Sequence, residues 1–239
     1  MDKISILKEI INKSKRIVFF TGAGVSTESN IPDFRSKSGI FSKVSGVEPE
    51  VMLSRPYFKE HPKQFYKFYR EHLVYPDALP NDAHKIIARL EEKGLVGAVV
   101  TQNVDNLHQT AGSKNVIELH GNVYRNRCST CHKEYPFDYV YNHKDVPLCD
   151  CGGIIEPDVI LYGDPLDDNV IEKAINEISH CDTLIISGTS LAVYPAARMV
   201  RYFLGNNLVI INREKTNMDD VADLVIHDYV GNVLNQIEL

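Results

Sequence analysis

At 239 residues, with 44% hydrophobic and 24% charged residues, the chain is long enough for one large domain or for one domain carrying a smaller insertion. Its net charge of -6 excludes a global attraction to nucleic acid or to an anionic membrane. No apolar run approaches the roughly 20 residues that span a bilayer.

The N-terminal stretch places Ile4, Leu7, Ile10 and Ile11 at helical spacing, with Lys3, Lys8 and Glu9 between them. This is an amphipathic helix and not the uninterrupted apolar core of a signal peptide, so a cytoplasmic protein is expected. Thiols stay reduced there, and clustered cysteines are read as metal ligands before disulfides.

Arg16 to Phe20 forms a short buried strand, and Thr21-Gly22-Ala23-Gly24-Val25-Ser26 follows without a spacer. A Gly-x-Gly at a strand end lets the backbone turn tightly against a pyrophosphate, and a helix starting near Ser26 would aim its free N–H groups there. Thr27 stands where a dinucleotide fingerprint wants a third glycine, so this turn alone is also compatible with no ligand.

Ile31-Pro32-Asp33-Phe34-Arg35 comes next, and Ser36 to Gly46, rich in Ser, Gly and Lys, reads as a mobile loop. Arg35 is a candidate phosphate or ribose contact, although most arginines are simply solvated. From Pro56 to Tyr75 the residues Phe58, Phe65, Phe68, Tyr69, Leu73 and Tyr75 fall on helical faces, which predicts a helical insertion with an aromatic core. Asn81-Asp82 then caps a helix with Ala83, Ile86, Ile87 and Leu90 inward, closed by Gly94.

The stretch from Val99 to Gly121 organises the chain. It reads as two buried strands, Ala98 to Val100 and Val116 to Leu119, each running into polar residues at the edge where α/β sheets bind ligands. Gln102, Asn103 and Asp105 follow the first strand and His120 the second, so an amide pair, a carboxylate and an imidazole converge on one crevice. His84 and His108, by contrast, invite no claim from the sequence.

Cys128 and Cys131 are separated by two residues, Cys149 and Cys151 by one, and Gly152-Gly153 follows. Four thiolates in two pairs fit a closed tetrahedral Zn²⁺ site, which leaves the metal a structural role; a redox or fortuitous cluster is the alternative. Cys181 stands alone and reads as a small buried residue. Asp158 to Pro165 is an extended segment that can offer an edge to a peptide or serve as a connector. A helix from about Asp168 to Ser179, a strand ending in Ser187-Gly188-Thr189-Ser190, a helix from near Pro195, a strand over 208–211, a short strand over 224–227 and a terminal helix complete an alternating βαβ pattern. The expected fold is α/β: a Rossmann-like parallel-sheet domain (1–35, 79–121 and 158–239), with a smaller domain made of a helical insertion bearing a cofactor loop (36–78) and a structural zinc module (122–157).

Taken together, GAGVS with IPDFR, TQNVDNLH, ELHG, the four cysteines, PDVILYGDPL, GTSLAVYP and IIN resemble the sirtuins, the Sir2-like NAD-dependent protein-lysine deacylases, over nearly the full length of the chain. The resemblance is to the bacterial type. It implies that the acyl group of an acyl-lysine is transferred to ADP-ribose, giving nicotinamide, free lysine and O-acetyl-ADP-ribose. It implies NAD⁺ as co-substrate and one structural Zn²⁺ on Cys128, Cys131, Cys149 and Cys151.

Residue by residue, the resemblance implies that Gly22, Ala23, Gly24, Ser26 and Thr27 hold the pyrophosphate turn, and that Ser190 and Asn212 lie near the ribose and adenine half. Gly188, Thr189, Arg213 and Tyr229 are further implied cofactor contacts. Ala23, Asp33, Phe34 and Arg35 would frame the nicotinamide ribose, and Asn103 and Asp105 the nicotinamide pocket, with Gln102 a further implied cofactor contact. Asn103 and His120 are the implied catalytic residues. His120 acts as general base on a ribose hydroxyl, a step that suits a near-neutral pKa. Val159, Ile160, Leu161, Tyr162 and Gly163 on one side, and Val193, Tyr194 and Pro195 on the other, would pair with the substrate peptide as a strand between two strands. Relatives that remove succinyl or malonyl groups carry Tyr-x-x-Arg in the inserted helix. Here Tyr66 is followed at that spacing by Tyr69, and Arg70 is one residue out of register, so weak action on acidic acyl groups is expected.

Mono-ADP-ribosyl transfer would use the same NAD site and is discriminated by acyl-lysine dependence. A nucleic-acid-binding zinc ribbon is disfavoured because Arg125, Arg127, Lys133 and Lys144 are matched by Glu134, Asp138, Asp145, Asp150 and Glu156. A dehydrogenase lacks the acidic residue expected at a second strand end. A minimal monomer, with no nucleic-acid or membrane partner, is expected.

Overall fold

Six short strands that are apolar on both faces can be buried only between two layers of helix, and the computed structural model has that arrangement. It describes residues 2–36, 39–43 and 46–237. The strands are β1 (Ile17–Thr21), β2 (Val96–Thr101), β3 (Val116–Glu118), β4 (Gly121–Cys128), β5 (Glu134–Tyr135), β6 (Ile155–Val159), β7 (Thr183–Ser187), β8 (Asn207–Ile211) and β9 (Leu224–Ile226).

The main sheet runs β3-β2-β1-β7-β8-β9, with every pair parallel. Its order reverses between β1 and β7, which opens a crevice at their C-terminal ends. Period-two alternation divides the side chains of β1 between two cores. Ile17 and Phe19 pack with Leu7 and Ile11 of the helix Lys3–Lys13 and with Ile86, Ile87 and Leu90 of the helix Asp82–Glu92. Val18 and Phe20 pack on the other face with Ala174 and Ile178 of the helix Asp168–His180. Asn81 caps the second of these helices as expected, accepting from the Ala83 N–H, while His84 reaches back to the Asn81 N–H.

β4, β5 and β6 form a separate antiparallel sheet in the order β5-β4-β6. Its inner residues Val123, Cys128 and Ile155 share one core with Phe58, Phe65, Tyr66, Phe68 and Tyr69. The helical insertion and the cysteine module therefore stand on a common apolar centre, which is the smaller domain.

Three local expectations are corrected. The stretch after Gly22 is a 3-10 helix over Ala23–Ser29, beginning three residues before the expected start. The insertion holds two principal helices, Arg55–Glu60 and Pro62–His72, because Pro62 cannot donate to continue the first. The stretch 36–46 contains a helix, Ile40–Lys43, with Ile40 buried in the small-domain core; residues 37, 38, 44 and 45 lie outside the described residues. No helix among the described residues is long and apolar enough to cross a membrane.

Candidate functional site

The crevice at the switch point is built by backbone before side chains. Gly22 N–H donates to the Ser187 carbonyl at 3.1 Å and Gly24 N–H to the Gly188 carbonyl at 2.8 Å, so the two strand ends touch main chain to main chain. Gly188 adopts φ +59°, and a Cβ there would stand 2.3 Å from the Val25 nitrogen. The same test at Gly24 puts a Cβ 2.8 Å from the Gly188 Cα. Only glycine permits this approach, and it leaves a side-chain-free cradle of the kind that accepts a pyrophosphate.

β2 delivers the polar groups. Asn103 Nδ2 donates to Ser26 Oγ at 3.2 Å, and Ser26 Oγ donates to Asp105 Oδ2 at 2.6 Å. Asp105 Oδ1 accepts the Leu107 N–H at 3.0 Å. Burial raises the Asp105 carboxyl above its usual range against the opposing pull of the Ser26 hydroxyl. Gln102 Nε2 donates to Thr189 Oγ1 at 3.0 Å, which ties the end of β2 to the loop after β7.

His120 closes β3. Its Nδ1 lies 3.0 Å from the Gln102 carbonyl oxygen, which can only accept, so Nδ1 carries the proton and Nε2 the lone pair. Burial pushes the imidazole below 6.5, and the Gln102 hydrogen bond only partly opposes it. The ring is a neutral base at neutral pH.

One cleft of about 300 Å³ is lined by every residue expected to bind cofactor or peptide or to catalyse, with the exception of Thr27. Thr27 Oγ1 donates to the Gly24 carbonyl at 2.9 Å and holds the turn from behind. Arg35 reaches the cleft, but its guanidinium donates to Glu50 at 2.8 Å and lies 5.3 Å from the centre of the Phe41 ring. Asp33 Oδ1 accepts the Ser36 N–H at 2.8 Å, and its other oxygen lies 3.6 Å from Arg213 Nη2. Arg213 also donates to the Tyr229 hydroxyl at 3.0 Å, and Asn212 Nδ2 donates to the Glu214 carbonyl at 2.7 Å. On the peptide side, Tyr162 and Tyr194 are exposed at the cleft mouth.

Sequence reasoning missed Val104, Leu166, Asp164, Glu214 and Asp228, which also line the cleft. Glu214 and Asp228 follow the ends of β8 and β9, the edge where ligand residues collect, and that position was the available signal. The apolar Val104 and Leu166 carried none.

The Sγ atoms of Cys128, Cys131, Cys149 and Cys151 all lie within 4.8 Å of one another, and all four are free thiols. A tetrahedron with Zn–S bonds of about 2.3 Å has edges of about 3.8 Å, so the set fits one metal ion. The Thr130 and Cys131 N–H groups point at Cys128 Sγ at 3.4 and 3.5 Å, and these bonds lower its pKa. Cys149 falls to about 6 through the Cys151 backbone N–H and the Tyr135 hydroxyl, the latter 3.0 Å away. Cys151 moves the other way, to about 12: the Gly153 N–H lowers it, but the neighbouring thiols raise it by more. Cys128 and Cys149 are thus the two thiols predisposed to ionise, as a metal requires.

Residues 22–195 match the model of the Sir2 family. The chain belongs to the Sir2 family. Among Sir2 relatives, the NAD-dependent protein deacetylase of Clostridium perfringens (strain 13 / Type A) is 55% identical over 240 residues, covering 99% of this chain and 98% of that protein. That of Staphylococcus aureus (strain NCTC 8325 / PS 47) is 46% identical over 237 residues, covering 98% and 97%. A solved Sir2 structure with deacetylated p53 peptide and 3'-O-acetyl ADP-ribose superposes with a TM-score of 0.91 at 40% identity, covering 99% of this chain and 97% of that one. A Sir2 complex with p53 peptide and NAD⁺ gives 0.86 at 41%, with the same coverage.

Proposed function

We propose that this protein is an NAD-dependent protein deacetylase that moves the acetyl group of an acetyl-lysine onto ADP-ribose. The observation that carries the reading is His120: its Nδ1 is committed to the Gln102 carbonyl and its Nε2 is left as a base, in the same cleft as the glycine cradle. Support comes from Sir2 relatives that bear this activity in their names and from Sir2 complexes with peptide, NAD⁺ and acetyl-ADP-ribose.

NAD⁺, when bound, supplies a ribose that accepts the acyl group as nicotinamide leaves. The turn Gly22–Ser26, with Gly188, Thr189 and Ser190, would hold its pyrophosphate and ribose; Asn212, Arg213 and Tyr229 would hold the adenosine half. Asn103 and Asp105, linked through Ser26, orient the nicotinamide end with a preset amide and carboxylate, so little is reorganised during the reaction. His120 Nε2 takes the proton of a ribose hydroxyl. The peptide lies as a strand between 159–163 and 193–195, which leaves specificity to the acyl-lysine.

Preference for a neutral acyl group is part of the proposal. Tyr66 donates its hydroxyl to the Ile155 carbonyl, Tyr69 is buried, and Arg70 donates to the Asp145 carbonyl at 3.3 Å, so the Arg70 guanidinium is held away from the cleft; among the described residues of this helix, His72 lines it. Residues 1–35, 79–121 and 158–239 form the NAD-binding half in this reading, and 36–78 with 122–157 form the closing half. A monomer in the cytoplasm completes it.

The test is nicotinamide release from NAD⁺ with an acetyl-lysine peptide and with its unmodified counterpart. Release that needs the acetyl group and yields acetyl-ADP-ribose supports the reading. Release with either peptide redirects it to NAD hydrolysis or ADP-ribosyl transfer.

A further inference from the structure

Arg55 has no part in the site as described, yet three elements converge on it. It opens the helix Arg55–Glu60, which Ser54 caps by accepting the Tyr57 N–H at 3.3 Å. Its Nε donates to Asp164 Oδ1 at 2.9 Å and its Nη2 to Asp164 Oδ2 at 2.8 Å, a two-pronged fork. The remaining Nη1 donates to Glu156 of β6 at 2.7 Å, and the guanidinium lies 5.3 Å from the centre of the Phe58 ring. All three charged side chains are partly buried, at 26% exposed or less, so water screens these bonds only in part.

What the fork grips is a turn. The Asp164 N–H donates to the Leu161 carbonyl at 2.9 Å, and Asp164 Oδ2 accepts the Leu161 N–H at 3.1 Å. Gly163, third in this turn, has φ +92°, the left-handed value a type II turn requires. The other edge of the segment is paired with the protein: Ile160 N–H donates to the His120 carbonyl at 3.0 Å, Tyr162 N–H to the Leu53 carbonyl at 2.9 Å, and Arg55 N–H to the Tyr162 carbonyl at 2.9 Å. Among the described residues nothing pairs with the N–H or C=O of Gly163, which lines the cleft. Those are the groups an added strand would use.

We infer that Arg55 is a positioning residue for the acyl-lysine peptide, fixing the turn Leu161–Asp164 through Asp164 so that the unpaired backbone of Gly163 faces the bound strand. The inference rests on the deacetylase reading. A lysine at 55 keeps the charge but not the planar fork, so the Asp164 carboxylate gains freedom to rotate and the turn loosens. Binding of peptide then bears the cost of ordering it, while the NAD cradle and His120 lie on other elements.

The experiment uses the metal-loaded full chain. KM for an acetyl-lysine peptide at saturating NAD⁺, KM for NAD⁺ at saturating peptide, and kcat are measured for the wild type, Arg55→Lys, Asp164→Asn and the double variant. Peptide KM is expected to rise about tenfold in each single variant, with NAD⁺ KM and kcat within about twofold. The double variant should be no worse than the singles, because all break one link. An unchanged peptide KM, or a parallel loss in all three parameters, overturns the Arg55 assignment alone. A wild type that shows no acetyl-dependent release overturns the deacetylase reading and Arg55's role with it. Should Arg55→Lys fail to fold, Asp164→Asn carries the same test.

Discussion

His120 and Gln102 face each other across the ends of two parallel strands, with the imidazole Nδ1 3.0 Å from the Gln102 backbone oxygen. Because the partner is main chain, no substitution at 102 removes the acceptor. The ring tautomer is set by the register of β2 against β3. Burial lowers the imidazole pKa from 6.5, so the basic form predominates at neutral pH and is lost on acidification below that value. Acetyl-ADP-ribose formation should stay flat from neutral to mildly alkaline pH and fall along an acid limb below 6.5. His120→Ala should cost about 10²- to 10⁴-fold in kcat at pH 7.5, with folding intact. An acid limb centred above 6.5 would contradict the assignment.

Ser26 is the single hydroxyl between Asn103 and Asp105. Removing it strands a buried carboxylate whose pKa burial already raises, which costs about 1–3 kcal/mol unless the group takes up a proton. Ser26→Ala should therefore weaken NAD⁺ binding roughly tenfold or more, and more strongly at high pH, where the carboxylate must ionise with the Leu107 N–H but without the Ser26 hydroxyl. Titration calorimetry with NAD⁺ at two pH values checks both parts; equal affinity for variant and wild type at each pH would remove Ser26 from the pocket's support.

The main sheet and its ligand edge were readable because burial on both faces writes continuous apolar runs such as Ile17 to Phe20, and because Gly22, Asn103 and His120 fall directly after such runs. The cysteines were readable from spacing alone. What escaped was long-range: nothing local marks Arg55 as the partner of Asp164, 109 positions away, or Glu50 as the partner of Arg35. The 3-10 form of Ala23–Ser29 escaped too, since it follows from the contact of Gly24 with Gly188 and not from helix propensity. Val104 and Leu166 look like any core residue until the cleft is seen to pass them.

Cys128 is fully buried where β4 meets the small-domain core, and its neighbour Gly153 packs so closely that a Cβ there would stand 2.7 Å from Cys128 Sγ. The metal and this core are expected to fold together. Cys128→Ser, or a strong chelator, should release one zinc per chain and lower the thermal midpoint, while the large parallel sheet, whose cores are separate, keeps its secondary structure. Metal content and circular dichroism measured on the same sample decide it. A metal-free variant with wild-type activity would end the structural role.

His84 and His108 form a buried edge-to-face pair, 4.8 Å between ring centres, beneath the cofactor turn. His108 Nε2 meets Thr21 Oγ1 at 3.2 Å, and His84 Nδ1 accepts the Asn81 N–H, whose side chain in turn donates to the Val25 carbonyl at 2.8 Å. Burial lowers both, His84 to about 4. The unfolded chain binds more protons than the folded one between about pH 4 and 6.5, so stability rises with pH across that window and is lost as pH falls from 6.5. For His84 the full swing is about 3 kcal/mol. His84→Gln keeps the capping acceptor while removing the titration. Urea unfolding at several pH values from 5 to 7 should show a slope of ΔG against pH shallower by up to about 1.4 kcal/mol per unit in the variant. Identical slopes would mean that His84 does not report its burial in the stability of the fold.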